Sequence, residues 1–154
     1  QRQRLAGGAR SRHRPDTGEV RWRVGGLHRW SEAPSVAADG SLSLDDGARI
    51  RSFTAAGAPR WTFSGAPGEF FGEARPIVDR RGVVYFVGQS GRFIDAVATA
   101  YAVNPDGTPR WRSQPVPGAY LLGRSALGAD GRFYRGGQSN APGGGSILCA
   151  FGDR

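Results

Sequence analysis

The chain has 154 residues, 38% hydrophobic and 22% charged, which suits one compact domain of a soluble fold. Its 25 glycines and 10 prolines exclude a mainly helical protein and favour short extended segments with frequent turns, an all-β class. The net charge of +8 does not mark a nucleic-acid binder, because five arginines crowd into the first fourteen residues and the remaining 16 face 13 acids.

Residues 1–14 carry Arg2, Arg4, Arg10, Arg12 and Arg14 without an acid and fit no repeat, so they are expected to be an unstructured terminus or linker. The folded part is expected to be 15–154. No methionine is present, so the chain is expected to be a piece of a longer protein. No apolar run approaches the ~18 residues of a membrane span, and nothing resembles a signal peptide.

From residue 15 onward one pattern recurs. A glycine stands four residues before a tryptophan in DTGEVRW, AAGAPRW and NPDGTPRW, pairing Gly18 with Trp22, Gly57 with Trp61 and Gly107 with Trp111. Between these come PSVAADG, PIVDRRG and SALGADG, each ending on a glycine: Gly40, Gly82 and Gly131. Two landmarks recurring in one phase indicate a repeat architecture.

Each landmark has a physical reading. Glycine accepts positive φ without a Cβ clash, so the Asp-Gly sites are hairpin turns flanked by strands. The β-rich runs that follow, residues 41–44, 83–87 and 132–134, are read as second strands. Third strands are expected at 49–53, 97–103 and 146–151, and fourth strands, carrying the tryptophan, at 59–63 and 109–112. Four short antiparallel strands per unit of about 40 to 50 residues is the size of a propeller blade. Such a sheet must bury its faces against neighbours, and an indole can fill the gap while its N–H finds a carbonyl on the next sheet.

The segment AVNPDGTPRW, residues 102–111, resembles the tryptophan-docking motif of the pyrroloquinoline-quinone-like (PQQ-like) repeats, and residues 52–61 are a looser copy. P-x-V-x-x-D-G and VVYFVG are similar to that family's first and second strands. The likeness covers roughly residues 15–154. The WD and kelch signatures are missing. The resemblance implies a partial β-propeller of about three four-stranded antiparallel blades, with Trp22, Trp61, Trp111, Gly18, Gly57 and Gly107 as structural docking residues. It also implies a periplasmic, cell-surface or extracellular location.

Function in such a scaffold is expected on the longer loops, 64–74, 113–124, 89–95 and 138–145. The possible binding residues there are Trp30, Phe70, Phe71, Arg92, Tyr120 and Arg124. Because Phe70-Phe71, Tyr120 and Trp30 recur at one phase, packing between units is the favoured reading of these aromatics over ligand recognition.

Catalysis finds little support. His13 and His28 are the only histidines and stand in no nucleophilic setting. The single cysteine, Cys149, excludes an internal disulfide and sits among Ile147, Leu148, Ala150 and Phe151 as a small apolar strand residue. Quinoproteins of the resembled family hold PQQ and calcium and commonly a Cys-Cys pair, which this sequence lacks. The expectation is therefore a non-enzymatic protein-binding or scaffolding module without cofactor, with a fragment of a PQQ- and calcium-dependent dehydrogenase as the alternative.

Overall fold

The computed structural model describes residues 18–28 and 33–152; residues 1–14, His13 among them, and Trp30 lie outside them. Among the described residues every regular element but one is a β-strand, and the strands form three antiparallel sheets. The first contains β1 (Ser35–Val36), β2 (Leu42–Asp45), β3 (Ile50–Phe53) and β4 (Pro59–Phe63), in that spatial order. The second runs β5 (Ile77–Val78), β6 (Val84–Ser90), β7 (Val97–Val103) and β8 (Pro109–Arg112), and β9 (Val116–Pro117) also pairs with β7. In the third, β10 (Ala119–Tyr120) and β11 (Ser125–Leu127) both pair with β12 (Phe133–Ser139), as does β13 (Ser146–Phe151).

One turn geometry builds the hairpins. At Gly40, Gly57, Gly82, Gly107 and Gly131 the glycine N–H donates to the carbonyl three residues earlier at 2.9–3.0 Å, with φ between 78° and 90°. That is a tight turn closed by a left-handed residue, which glycine adopts without strain. Asp39, Asp106 and Asp130 lock three of these turns by accepting the backbone N–H two residues on.

The outer strands carry a bulge at equivalent places. Ser52 pairs with Trp61 but Phe53 pairs with Pro59, and Ala102 pairs with Trp111 but Val103 with Pro109. One residue, Arg60 or Arg110, is left over in each, which adds local twist.

Three strands are interrupted where four continuous ones per sheet are expected. On the outer side of β7, β8 and β9 are two halves separated by 113–115. The Ser113 hydroxyl there accepts the Ala100 N–H at 3.0 Å, and Pro115 and Pro117 lack N–H donors. The first strand of the third sheet is likewise split into β10 and β11, and in the second sheet a Phe70–Gln89 bridge stands beyond β5. The sequence marks the strands but not these breaks.

The sheets stack face to face. Ile50 and Phe63 of the first sheet meet Val84, Phe86, Tyr101 and Val103 of the second, together with Phe71 and Ala74 of the connection between the two sheets. Tyr85, Ala98, Ala100 and Ala102 on the other face of the second sheet meet Ala119, Leu121, Phe133 and Phe151 of the third. The period-two alternation of β7 thus feeds two cores, aromatic on one side and alanine on the other. The first strands also succeed one another, with the Ser35 hydroxyl donating to the Pro76 carbonyl.

Candidate functional site

Two tryptophans dock on the sheet that follows them in the chain. Trp22 Nε1 donates to the Ala55 carbonyl at 3.0 Å, and Trp61 Nε1 donates to the Pro105 carbonyl at 2.9 Å. Each ring lies over the glycine of the receiving turn: a Cβ added at Gly57 or at Gly107 would stand 2.7 Å from the indole above it. Trp111 occupies the same place in β8 and packs against Tyr85, ring centroids 6.0 Å apart. Gly18 has φ 64° with open space around it.

At the opposite ends of the strands the longer loops gather. Phe70 and Gln89 exchange backbone hydrogen bonds at 2.7 and 2.9 Å, which fixes the loop 64–74 on the end of β6. Phe70 is 40% exposed, whereas Phe71 is fully buried among Phe63, Phe86 and Tyr101. Phe71 is therefore removed from the possible binding surface; its N–H donates to the Gly47 carbonyl at 2.5 Å, turning the side chain into the inter-sheet core.

Glu69, beside it, is also internal. Its carboxylate accepts the Tyr101 hydroxyl and the Ala66 N–H and pairs with Arg112 at 3.5 Å. Burial, reinforced by that carboxylate, pushes the Tyr101 phenol up to about 12.

Arg92 opens a single 3-10 turn, Phe93–Asp95, and its N–H donates to the Asp95 carboxylate at 2.5 Å. The turn leaves Phe93 51% and Ile94 82% exposed. Asn140 holds it in place by donating from its side chain to the Phe93 carbonyl, while its N–H reaches the Gly118 carbonyl at 2.7 Å. Half-buried Tyr120 meets Phe93 edge-on at 5.3 Å. Three loops thus converge under an apolar tip, with Arg92 exposed at its rim and Arg124 exposed in the loop that follows Tyr120.

Phe93 and Ile94 were legible as two bulky apolar residues inside a loop, a signal that the aromatic phase of Phe70 and Tyr120 overshadows. Half-buried His28 packs on Gly47, donates its backbone N–H to Asp46 at 2.8 Å and meets Phe70 edge-on at 6.2 Å.

A second missed residue is Arg135, fully buried in β12. Its guanidinium donates to the carbonyls of Leu121, Ala74 and Glu73 at 3.0, 2.9 and 2.7 Å and to the Ser125 hydroxyl at 2.6 Å. Glu73 and Arg75 adopt φ of 63° and 45°, a left-handed backbone that non-glycine residues rarely take. Arg135 clamps two carbonyls of that loop and so holds the strained segment. In the orientation that satisfies both ends of its amide, Gln89 accepts from the Leu121 N–H at 2.8 Å and donates to the Ala119 carbonyl at 3.3 Å.

Cys149 is half-buried in β13, and burial raises its thiol pKa. Among the described residues no group of three or more His, Cys, Asp or Glu side chains converges as a metal site, and no helix is long and apolar enough to cross a membrane.

These features define an all-β protein of three stacked antiparallel sheets with an apolar loop tip at one end. No family model and no curated protein matches the sequence. Among solved structures, a protein of unknown function from Bacteroides caccae is similar with a TM-score of 0.49 at 10% identity, over 77% of this chain. The match takes in 44% of that protein's chain, so the present chain spans less than half its length.

Proposed function

We propose that the three sheets are consecutive blades of a β-propeller of PQQ-like repeats, and that this module binds or scaffolds other proteins on an exported protein. The architecture is supported by one repeated relationship: Trp22 and Trp61 make the same kind of hydrogen bond, each over the glycine of a hairpin turn, to the next sheet along. First strands that succeed one another, with tryptophan-bearing strands outermost, suit sheets arranged around an axis.

The binding role rests on the loop tip. Phe93 and Ile94 put large apolar side chains into solvent beside Tyr120, Phe70 is exposed on a neighbouring loop, Asn140 and Gln89 hold these loops, and Arg92 stands exposed next to Phe93. Apolar and aromatic groups on a rigid support, with polar residues around them, are the composition of a protein-binding patch.

A photo-reactive residue at position 94, compared with one at 106 on the opposite turns, tests this in cells. A protein crosslinked from position 94, absent from 106 and lost when Phe93→Ser is added, is the expected result. No protein adduct, or dye-linked alcohol oxidation by the full-length protein with added PQQ and calcium, overturns it.

A further inference from the structure

Between β4 and β8, the tryptophan-bearing strands of the first two sheets, runs a groove of about 360 Å³. Its floor is apolar and largely aromatic, built from Phe63 of β4, Tyr101 of β7, and Pro109 and Trp111 of β8. All of its lining residues fall between 63 and 112. The connection 64–66 also lines it and is tightly held: Ala66 N–H donates to the Glu69 carboxylate at 2.7 Å, and a Cβ at Gly65 would collide with Glu69 and Phe71. The walls are therefore formed by packing within the protein, and the volume falls in the range of small-molecule sites, about 300–1,000 Å³.

The charge of the groove is one-sided. Arg110 and Arg112 both line it and both are exposed. Among the described residues, the one carboxylate that forms an ion pair with either is Glu69, whose side chain is only 4% exposed. One Glu69 oxygen accepts the Tyr101 hydroxyl and the Ala66 N–H, and the other stands 3.5 Å from Arg112. The Tyr101 phenol, raised to about 12, keeps its proton at neutral pH, so that first oxygen stays engaged. Two guanidinium charges against one internal carboxylate leave a positive charge over, next to aromatic surface. Arg112 is also fixed from below, its guanidinium carbon 5.7 Å from the centre of the Tyr101 ring.

We propose that this groove binds a small aromatic carboxylate, its rings on the apolar floor and its carboxylate on Arg112. Ring contacts stabilise the body of such a guest, and a guanidinium already oriented by Glu69 and Tyr101 gives its acid group charge-assisted hydrogen bonds at little ordering cost. The site is separate from the loop tip: neither Phe93 nor Ile94 lines it.

Calorimetric titration of the 154-residue chain with naphthoate, and with naphthamide as its uncharged counterpart, tests the assignment. The expected result is one naphthoate bound per chain, naphthamide weaker by about tenfold or more, and loss of that difference in Arg112→Gln. Ser64 is exposed and lines the groove, so Ser64→Phe should fill it and abolish binding of both compounds with the melting temperature kept, while Ile94→Ser should leave both affinities unchanged. No heat at millimolar naphthoate, equal affinity for acid and amide, binding that survives Ser64→Phe, or binding lost in Ile94→Ser overturns the proposal.

Discussion

The Trp61 ring lies directly over Gly107, so close that a Cβ on the glycine would stand 2.7 Å from it. Gly107 also has φ 90°, which a side chain resists independently. Gly107→Ala therefore combines backbone strain with displacement of the indole, an expected loss of about 2–4 kcal/mol. Gly57→Ala, beneath Trp22, suffers the same two penalties. Gly18→Ala has the strain but open space, and should cost about 1 kcal/mol or less. Urea unfolding of the three variants separates the terms; equal losses in all would show that the indole contact contributes nothing.

Arg135 makes four hydrogen bonds from the core, two of them to carbonyls of the strained loop. Arg135→Met leaves three carbonyls and a hydroxyl without their donor, and the expected destabilisation is about 3–5 kcal/mol. Arg135→Lys should recover little, since one ammonium cannot reach acceptors spread around a planar fork. Hydrogen exchange at residues 72–76 should accelerate in both. Full protection there in Arg135→Lys would contradict this account.

The Tyr101 phenol titrates near 12 in the fold against an ordinary 10, so folding favours its protonated form. Its contribution to stability is complete below pH 10 and disappears as pH rises from 10 through 12. Tyr85, raised by burial and by Asp79, adds to the same alkaline loss. Tyr101→Phe should be less stable at neutral pH and show a shallower decline above pH 10, measured by the denaturation midpoint. An unchanged slope would place the alkaline sensitivity elsewhere.

Ile94 is the most exposed large apolar side chain among the described residues, on a turn held by backbone and Asn140 contacts. Ile94→Ser should alter stability by less than about 0.5 kcal/mol. With the photo-reactive residue moved to position 92, loss of the crosslinked partner in Ile94→Ser with an unchanged melting curve would assign Ile94 to recognition; a large drop in melting temperature would assign it to packing.

The hairpin glycines and the tryptophans were readable because each answers a local demand, positive φ or an indole-sized gap, that only one residue type meets. Strand positions followed from them within a residue or two, except that β6 and β12 run on through Ser90 and Ser139. Splitting of the first strands was not readable, because it depends on Phe71 and Leu121 turning into cores formed with another sheet. Arg135 was misleading for a related reason. Alternation from Phe133 puts it on the apolar face, but its partners are carbonyls more than sixty residues away as well as near ones. Loop aromatics divided by orientation, with Phe70 outward and Phe71 inward, a distinction that adjacent identical letters do not carry.

The leftover residue in β4 has a further effect. Neighbours along an extended strand ordinarily point to opposite sides, yet Arg60 and Trp61 both reach the Pro105 carbonyl, at 3.2 and 2.9 Å. The irregularity at Arg60 swings two successive side chains onto one acceptor, converting a single contact into a two-pronged grip. Deleting Arg60 would restore an ordinary ladder and, by doing so, uncouple adjoining layers, whereas a residue inserted among 64–68 would merely lengthen a connection. The length of this strand is thus dictated from outside its own sheet.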